Sequence, residues 1–468
     1  MSIKLKQLND LFGTCLSKKI FCLEDQLGPI CIDSRKIKKG DFFIPLVGEN
    51  FNGHKFIFEA YKKGAQGTII SDDLNEQIPE NFLYWQVKDT LIAFQQLAFI
   101  YRKSLSSKIV GITGSTGKTT TREILRAILE TTFKVHSSSN NNNNDFGVPL
   151  TLFEANHSHE IILVEMAMRG LGEIKRLSNC SGPDIAVITN IGSAHIGRLG
   201  SIQNIAKAKC EIISKLNHMG VVIIPGNDDL LSESLNNVWK GKVIKVGIIE
   251  SNLINKGISK NKDLSYKYDL CGEFDFSSNT LKVEENIFNL PLKGKHNAIN
   301  FLISLAVAKE LRVDMERLTK MNVQLPEGRS QTFSVGGITV YDETYNASPE
   351  SVRASLEFMI RKKGRHFVVL GTMYELGEYS NYFHEEIAKF ICDMKIDGLV
   401  LVGEDKCLEV FNKYSYLIPN FCRVNKSEEA IIPLSNWLRD GDSLLLKASR
   451  KIRLEKLIPF IKTTFNHL

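Results

Sequence analysis

The sequence predicts an α/β protein built from three domains. Its 468 residues exceed what one hydrophobic core usually organises, and 43% of them are hydrophobic, which is enough for several cores. From residue 108 onward, short apolar segments alternate with segments of helical periodicity, a pattern typical of a parallel sheet with helical crossovers. We predict domains at residues 1–105, 106–326 and 327–468, the second boundary lying at Pro326-Glu327-Gly328-Arg329.

The overall composition narrows the classes of partner. The formal net charge of +6 is small for this length, and the basic residues are dispersed, which argues against nucleic acid but is compatible with small anions. Nine cysteines without a Cys-x-x-Cys pair indicate neither a disulfide framework nor a zinc site. No run approaches the roughly 18 apolar residues of a membrane span, and residues 1–23 lack the apolar core of a signal peptide. We expect a cytoplasmic protein without membrane insertion.

The first 105 residues are predicted to form a small α/β unit. Its notable segments are Asp33-Ser34-Arg35, a strand at residues 41–46, and Gly53-His54. General chemistry identifies no catalytic group here. Asp33 and Arg35 could equally form a solvated turn.

The central domain begins with the strongest chemical signal in the chain. A β-branched strand at residues 109–113 is followed by Gly114-Ser115-Thr116-Gly117-Lys118-Thr119-Thr120, and apolar residues at helical spacing predict a helix at residues 118–130. The glycines allow backbone N–H groups to approach phosphate oxygens, while Lys118 supplies a charge and Thr119 a hydroxyl for Mg²⁺. Ile112 stands at the first glycine position of the general phosphate-loop pattern, so a simple glycine turn is the alternative.

Two further polar residues follow predicted strands of the same sheet. Strands are predicted at residues 160–165, 184–189 and 220–224, and ligands collect at the carboxyl ends of parallel strands. Glu165 ends the first of them, from where its carboxylate could reach Mg²⁺ held by the phosphate loop. His195 follows the second in a glycine-containing turn. The alternatives are a solvated carboxylate and a structural histidine.

Lys209 is predicted to lie on a buried helix face. In the helix predicted at residues 202–216, apolar positions place Lys209 near the middle of the apolar face, whereas Lys207 points to the polar side. Because desolvation disfavours the charged amine, a buried lysine must be paired, neutral or modified. A neutral amine can take up CO₂ and become an anionic carbamate. A lysine whose ammonium extends out to solvent is the alternative.

Three more segments contain candidate residues. The serines and asparagines at residues 137–144 have the composition of a surface loop. Asn297 and Asn300 open a predicted helix and could hydrogen-bond a base edge from one face, unless Asn297 only caps the helix. Arg329 lies at the domain boundary, where closure could bring its guanidinium onto a phosphate.

The third predicted domain is a Rossmann-like α/β unit. Its strands are predicted at residues 339–341, 366–370, 398–402 and 443–446, with helical segments between them. Residues 226–290, which precede it, are predicted to be rich in strands and less periodic. The sequence contains no internal repeat.

The motifs together resemble those of the Mur ligases, over nearly the whole chain. They stand in the order Thr113-Gly114-Ser115-Thr116-Gly117-Lys118-Thr119-Thr120, Asn141-x-Asn143-Asn144-x-x-Gly147-Val148-Pro149, Glu165-Met166-Ala167, Ala194-His195, Ala206-Lys207-Ala208-Lys209, Gly294-x-His296-Asn297-x-x-Asn300, Gly328-Arg329 and Asp342-x-x-Tyr345-Asn346-Ala347-x-Pro349. By this resemblance the asparagine run lies near the triphosphate, and the phosphate loop without the first glycine is the family's own version.

The two ends of the chain indicate which reaction the resemblance implies. The N-terminal segments Asp33-Ser34-Arg35, Gly40, Gly48 and Gly53-His54-x-Phe56 resemble a uridine-nucleotide-binding domain. The C-terminal domain lacks the Asp-Asn-Pro-Arg segment of members that add diaminopimelate or lysine, and has Gly371-x-Met373-x-Glu375-Leu376-Gly377-x-x-Ser380-x-x-x-His384 instead. This combination implies ATP-dependent addition of D-alanyl-D-alanine to UDP-N-acetylmuramoyl-tripeptide through an acyl phosphate, during synthesis of the peptidoglycan precursor. The alternatives are addition of a single amino acid and a non-catalytic nucleotide-binding regulator.

The resemblance also implies roles for individual residues. Catalytic roles are expected for Lys118, Glu165, His195, Lys209 and Arg329. ATP is expected to contact Gly114, Ser115, Thr116, Gly117, Lys118, Thr119, Thr120, Asn297, Asn300, Arg329, Asp342 and Tyr345. The UDP-linked substrate is expected to contact Ser34, Arg35, His54, Asn143 and Asn144. One Mg²⁺ would be held by Thr119 and Glu165, and a second by His195 and carbamylated Lys209. A monomer is expected.

Two positions depart from the family pattern. Thr372 stands where an aspartate is usual, which bears on dipeptide recognition more than on the reaction. Ala448 replaces the glycine expected between Lys447 and Ser449, in a loop expected to face the nucleotide, and would tighten its backbone. The sequence leaves open whether the third peptide residue is diaminopimelate or lysine.

Overall fold

The computed structural model of the chain describes residues 3–48, 51–71, 78–139, 141–251, 268–318, 321 and 323–466. It confirms the predicted α/β class, with one main sheet inside each predicted domain. The limits of the domains remain a prediction. Part of the strand-rich segment predicted at 226–290 lies outside the described residues, at 252–267.

The N-terminal domain is built on a small parallel sheet. Its elements are α1 (Leu5–Phe12), β1 (Ile30–Cys31), β2 (Phe42–Phe43), β3 (Val47–Gly48), β4 (Phe51–Asn52), α2 (Ile57–Lys62), β5 (Gly67–Ser71), β6 (Leu83–Val87) and α3 (Thr90–Ser104). The sheet order is β1-β2-β5-β6, and β3 and β4 form a separate hairpin. Asp89 begins α3 by accepting the N–H groups of Leu91 and Ile92, and Phe94 of that helix is fully buried.

The central domain contains a nine-stranded sheet. Its elements are β7 (Lys108–Thr113), α4 (Lys118–Leu129), β8 (Val135–Ser137), α5 (Gly147–Glu154), β9 (Ile161–Glu165), α6 (Glu173–Ser181), β10 (Ile185–Ile188), α7 (Ile196–Leu199), α8 (Ile202–Cys210), β11 (Val221–Pro225), α9 (Asp229–Asn236), β12 (Lys242–Glu250), β13 (Leu270–Asp275), β14 (Thr280–Val283), β15 (Asn286–Asn289) and α10 (Lys295–Glu310). The sheet order is β15-β14-β13-β12-β11-β10-β7-β9-β8, and only the β13-β14-β15 edge is antiparallel. Since β7 lies between β10 and β9, the loop that follows it meets the ends of both neighbours.

The single helix predicted at residues 202–216 is wrong in its second half. The α-helix ends at Cys210, and a 3₁₀ helix follows at Glu211–Lys215. Ser178 explains the change, because its hydroxyl donates to the Ile212 carbonyl and accepts the Lys215 N–H. These backbone groups are therefore paired with α6 rather than with the next helical turn.

The C-terminal domain contains a six-stranded sheet. Its elements are β16 (Gln331–Val335), β17 (Ile338–Glu343), α11 (Pro349–Met359), β18 (His366–Gly371), α12 (Ser380–Asp393), β19 (Gly398–Val402), β20 (Asn420–Val424), α13 (Ile431–Trp437), β21 (Ser443–Lys447) and α14 (Leu457–Phe465). The order is β16-β17-β21-β18-β19-β20, parallel except for the β16-β17 hairpin. None of the helices in the described ranges combines the length and apolarity needed to cross a membrane.

Candidate active site

The phosphate loop needs its glycines for steric reasons. Gly114 has φ +152°, and a Cβ there would collide with Thr189 Oγ1 at the end of β10. Gly117 is left-handed, with φ +78°, and a Cβ there would lie 2.9 Å from Asn300 Oδ1 on α10. The loop is therefore compressed between a neighbouring strand and a helix, which a side chain would prevent.

The loop is also braced by hydrogen bonds from the segment after β10. Asn190 Oδ1 accepts the Thr116 N–H at 3.0 Å, and Thr189 Oγ1 donates to the Thr116 carbonyl at 2.5 Å. Ser115 Oγ accepts the Gly192 N–H at 2.9 Å. The loop conformation is thus held by the protein itself, as expected of a preorganised anion site.

Lys118 begins α4 and is half-buried. Its ammonium donates to the Gly114 carbonyl at 2.8 Å. Burial lowers the pKa of Lys118, while the charge of Glu165 acts in the opposite direction. The lysine and the glutamate are therefore electrostatically coupled within one site.

Glu165 is the centre of a buried polar cluster. Oε1 accepts hydrogen bonds from Thr119 Oγ1 at 3.2 Å and from Asn143 Nδ2 at 2.9 Å. Oε2 lies 3.0 Å from Thr119 Oγ1 and accepts from Arg122 Nη1 at 3.1 Å. The solvated-carboxylate alternative is wrong, because the side chain of Glu165 is only 2% exposed.

Arg122 was not identified from the sequence. It pairs with Glu123 as well as Glu165, and its side chain is 2% exposed. A signal was available, because Arg122 lies three residues before Leu125 and seven before Leu129, on the apolar face of α4. A charge on such a face must have a buried partner.

His195 lies where two domains meet. It is left-handed, with φ +68°, and its Nδ1 lies 2.5 Å from Oε2 of Glu375 in the C-terminal domain. The contact with His195 lowers the pKa of Glu375. Gly197 and Gly377 pack backbone to backbone beside this pair, since a Cβ on Gly197 would lie 2.4 Å from the Gly377 nitrogen.

Lys209 is buried as predicted. It is 1% exposed while Lys207 is exposed, so the alternative of an ammonium in solvent is wrong. Burial, together with the nearby charge of Lys118, lowers the pKa of Lys209 well below its ordinary value. In the part of the chain that the structure describes, the side-chain amine of Lys209 makes no hydrogen bond or ion pair.

Arg329 and Tyr345 form the face that the C-terminal domain presents to the phosphate loop. The guanidinium carbon of Arg329 lies 3.6 Å from the centre of the Tyr345 ring, and Tyr345 donates its hydroxyl proton to Asn141 Oδ1 at 2.7 Å. Arg329 Nε is shielded from solvent and has no hydrogen-bond partner among the described residues. A buried guanidinium nitrogen without an acceptor suits an anionic ligand.

The residues predicted to hold the nucleotide base have other contacts as well. Asn297 donates to the Lys293 carbonyl at 2.8 Å and does not cap the helix, whose first flanking residue is Gly294. Asn300 packs against Gly117. Asp342 accepts both the N–H and the hydroxyl of Thr344. Their contacts with ATP stay a prediction.

One large cavity lies between the central and C-terminal domains. Its volume is about 1360 Å³. The predicted site residues that line it are Ser115, Thr116, Gly117, Lys118, Thr119, Thr120, Asn143, Asn144, Glu165, His195, Asn297, Asn300, Arg329 and Tyr345. Six others lie outside its lining, namely Gly114, Lys209, Asp342, Ser34, Arg35 and His54. His296, Glu350, Glu375, Lys447 and Arg450 also line it, although none of them was proposed as a site residue.

The three N-terminal candidates make contacts inside their own domain. Asp33 accepts the guanidinium of Arg35 at two oxygens, and this contact lowers the pKa of Asp33 to about 2. Ser34 Oγ donates to Glu59. His54 is buried, with Nδ1 2.8 Å from Asn52 Oδ1 and Nε2 accepting the Ser71 N–H. The side chain of Arg35 is 84% exposed, and contact of these three residues with a ligand stays a prediction.

The two departures from the family pattern have clear surroundings. Thr372 is buried, and its hydroxyl donates to Asp405, which also accepts from the Tyr374 hydroxyl. A carboxylate is therefore present beside Thr372, supplied by the loop after β19. Ala448 is buried against Gly371, where an added Cβ would lie 2.6 Å from the Cβ of Ala448.

Comparison with known proteins agrees with this geometry. The family models that match are the Mur ligase family catalytic domain at residues 28–102, the Mur ligase middle domain at 112–308 and the Mur ligase glutamate ligase domain at 328–450. The UDP-N-acetylmuramoyl-tripeptide–D-alanyl-D-alanine ligase of Synechocystis sp. is 34% identical, with 97% of each chain covered, and that of Bacillus subtilis is 32% identical, with 92% of each covered.

Solved structures agree as well. MurF from Acinetobacter baumannii has a TM-score of 0.80 at 28% identity, with 93% of each chain covered. MurF from Thermotoga maritima, in complex with ADP, has a TM-score of 0.79 at 26% identity, covering 94% of this chain and 98% of that one.

Fold and site together define a class of three-domain α/β protein with a glycine-rich loop, Lys118 and Arg329 in a cavity between its central and C-terminal domains. The chain belongs to the Mur ligase family.

Proposed function

We propose that this protein uses ATP to join D-alanyl-D-alanine to UDP-N-acetylmuramoyl-tripeptide, giving the UDP-linked pentapeptide, ADP and phosphate. The observation that carries this function is the cavity in which the phosphate loop, Glu165 and Arg329 face one another between two domains. The relatives in Synechocystis and Bacillus, whose names specify this reaction, match over nearly their full length.

The first step joins two anions, because the tripeptide carboxylate attacks the γ-phosphate of ATP. The site must therefore neutralise charge and hold the reacting groups in line. Lys118 is the cation of the phosphate loop, and Arg329 is one of the cations that the C-terminal domain contributes to the cavity. Both are supported in this role by their place in the cavity lining, and Arg329 by its unpartnered Nε. Closure would then exclude water from the acyl phosphate.

The Glu165 cluster fits a magnesium ion. Carboxylate and hydroxyl oxygens are hard ligands, and those of Glu165 and Thr119 lie within hydrogen-bond distance of each other. The amide nitrogen of Asn143 donates to the same carboxylate and helps to orient it. Among the described residues no group of three or more His, Cys, Asp and Glu could hold a metal alone. We propose that phosphate oxygens of the nucleotide complete the ligands of the ion. Bound Mg²⁺ would supply positive charge at the phosphate oxygens.

Fewer observations support the second metal position. His195 lines the cavity, but Lys209 does not, and a carbamate on Lys209 is supported only by its burial, its lowered pKa and the absence of a partner within the described residues. An anionic carbamate would also offset the charge of Lys118 nearby. It stays a prediction, as do the monomeric state and the cytoplasmic location.

The assay that tests the function compares four reactions with the purified protein. In two reactions D-alanyl-D-alanine is supplied with a UDP-muramoyl-tripeptide that ends in diaminopimelate or in lysine. In the other two, free diaminopimelate or free lysine is supplied with the UDP-muramoyl-dipeptide. We expect pentapeptide and phosphate only in the first two. Phosphate release with single amino acids alone would contradict the dipeptide specificity. A nucleotide-binding regulator would release no phosphate that depends on both substrates.

A further inference from the structure

Glu350 is a carboxylate of the C-terminal domain that reaches into the central domain. It is the second residue of α11, after Pro349, and Ser348 caps the helix. Oε1 accepts the backbone N–H of Ser193 at 2.6 Å. The approach depends on Gly192, because a Cβ there would lie 2.9 Å from the carboxyl carbon of Glu350. The chain therefore leaves room for this carboxylate beside the segment that braces the phosphate loop.

Only one oxygen of this carboxylate is used by the protein. Oε2 is shielded from solvent and accepts no hydrogen bond from the described residues, and the fully buried hydroxyl of Ser193 likewise has no partner there. An unpaired carboxylate oxygen is unfavourable unless a ligand supplies a donor. Glu350 also lies in the first turn of α11, and a helix N-terminus attracts negative charge.

Among the described carboxylates that line the cavity, Glu350 is the one with a buried oxygen that lacks a hydrogen-bond partner. Glu350 lines the same cavity as Lys118 and Arg329, the two cations proposed to hold phosphate groups. The remaining reactant of the proposed ligation is an α-amine, which has a pKa of about 7.7–8.0 and is therefore largely an ammonium near neutral pH. An ammonium is the donor that an unpaired carboxylate oxygen accepts best.

We propose that Glu350 is a catalytic residue that binds the ammonium of the incoming amine substrate and accepts its proton. This inference rests on the proposed ligase function. One N–H bond breaks as its proton passes to Oε2, and the freed nitrogen lone pair forms the C–N bond to the acyl phosphate. The C–O bond to phosphate then breaks with its electron pair, and the nitrogen loses a second proton. The products are the amide, hydrogen phosphate and one proton, which Glu350 returns to water.

The test compares two nucleophiles on the Glu350→Gln variant of the full-length protein. Glutamine keeps an acceptor for the Ser193 N–H but cannot take a proton. D-alanyl-D-alanine must be deprotonated, whereas hydroxylamine is largely neutral near pH 7 and traps the acyl phosphate as a hydroxamate. We expect amide formation to fall about 100-fold, in the range typical of a lost general base, while hydroxamate formation stays within about 2-fold of the wild type.

Glu357→Gln is the matched control. Glu357 lies on the same helix and is exposed, so both products should form at the wild-type rate. If Glu350→Gln fails to fold, as judged by its thermal midpoint, the two nucleophiles are compared on Glu350→Asp instead, in which the carboxylate is shortened by one methylene. We expect that variant to lose amide formation selectively and to a smaller extent.

Two results would overturn the role of Glu350. Equal loss of amide and hydroxamate would mean that Glu350 acts only through domain contact with Ser193, and unchanged amide formation would mean that it accepts no proton. A wild-type protein that forms neither product would instead contradict the proposed function. The two failures are therefore distinguishable in one set of assays.

Discussion

The centre of the site and its closing face are assembled in different ways. At the centre, Glu165, Thr119 and Arg122 belong to one domain, and the side chains of the Arg122–Glu165 pair are each 2% exposed. At the closing face the contacts cross from one domain to the other, and His195 and Glu375 are 22% and 42% exposed. The first group is held by packing around neighbouring strands, whereas the second exists only while the domains are together.

This difference teaches which contacts can bear on stability and which on catalysis. Buried pairs within one sheet cannot separate without unfolding the domain, so removing a partner leaves an unpaired charge. Pairs that join two domains can separate by rigid-body movement, and their loss should alter closure more than folding. The following predictions test that distinction, from the largest expected effect to the smallest.

Replacing Lys118 should have the largest effect. Lys118→Ala removes the cation of the phosphate loop, and we expect ATP turnover to fall by at least about 100-fold, as for other preorganised groups that stabilise a developing charge. ADP release measured with both substrates present is the readout. Normal turnover in a folded Lys118→Ala protein would contradict the phosphate-loop assignment.

Lys209 should be nearly as important if it carries a carbamate. We expect Lys209→Ala to lose most ligation without rescue by bicarbonate, because the amine that would be modified is gone. Lys207→Ala, on the exposed side of the same helix, is the control. Carbon NMR with labelled bicarbonate should show a carbamate signal in the wild type and in the control. Near-normal turnover of Lys209→Ala would show that the carbamate is not required.

Replacing Arg122 should lower the stability of the fold more than it lowers catalytic activity. Arg122→Leu leaves Glu165 and Glu123 without their buried cation, and we expect a loss of about 3–5 kcal/mol in the free energy of unfolding. Arg126→Leu removes a pair that is 40% exposed on the arginine side, and should cost about 1 kcal/mol or less. Denaturant titration of the two variants measures both values. Equal losses would contradict the proposed buried role of Arg122.

Tyr345 should have the smallest effect, on catalysis alone. Tyr345→Phe removes the hydroxyl that joins Asn141 but keeps the ring under Arg329, and one hydrogen bond is worth about 0.5–1.5 kcal/mol. We expect kcat/KM to fall by roughly 2- to 13-fold, in proportion to that free energy, with the thermal midpoint unchanged. The control is Tyr382→Phe, since Tyr382 is 58% exposed. A lower thermal midpoint for Tyr345→Phe would mean that the Tyr345–Asn141 hydrogen bond contributes to stability, as the buried Glu165 cluster does.

The fold followed from the sequence wherever the pattern was local and strong. The strands predicted at residues 160–165, 184–189, 366–370 and 398–402 match the observed ones to within one residue at each end, because buried parallel strands are continuous apolar runs. The strand predicted at 41–46 is wrong in length, since the observed strand is Phe42–Phe43. Whether a residue joins a strand depends on the neighbouring strands, and the sequence of a single segment does not reveal them.

The sequence by itself determined the glycine-rich loop between β7 and α4, the strand that ends at Glu165 and the burial of Lys209. Each of these depends on spacing along one element, so periodicity and glycine chemistry were sufficient. Only the tertiary structure showed that Arg122 completes the Glu165 cluster, that His54 has a neighbour at each ring nitrogen, and that Glu350 and Glu375 reach across to the segment after β10. Those contacts join residues far apart in the chain, and their geometry is fixed by how whole domains pack rather than by any local pattern.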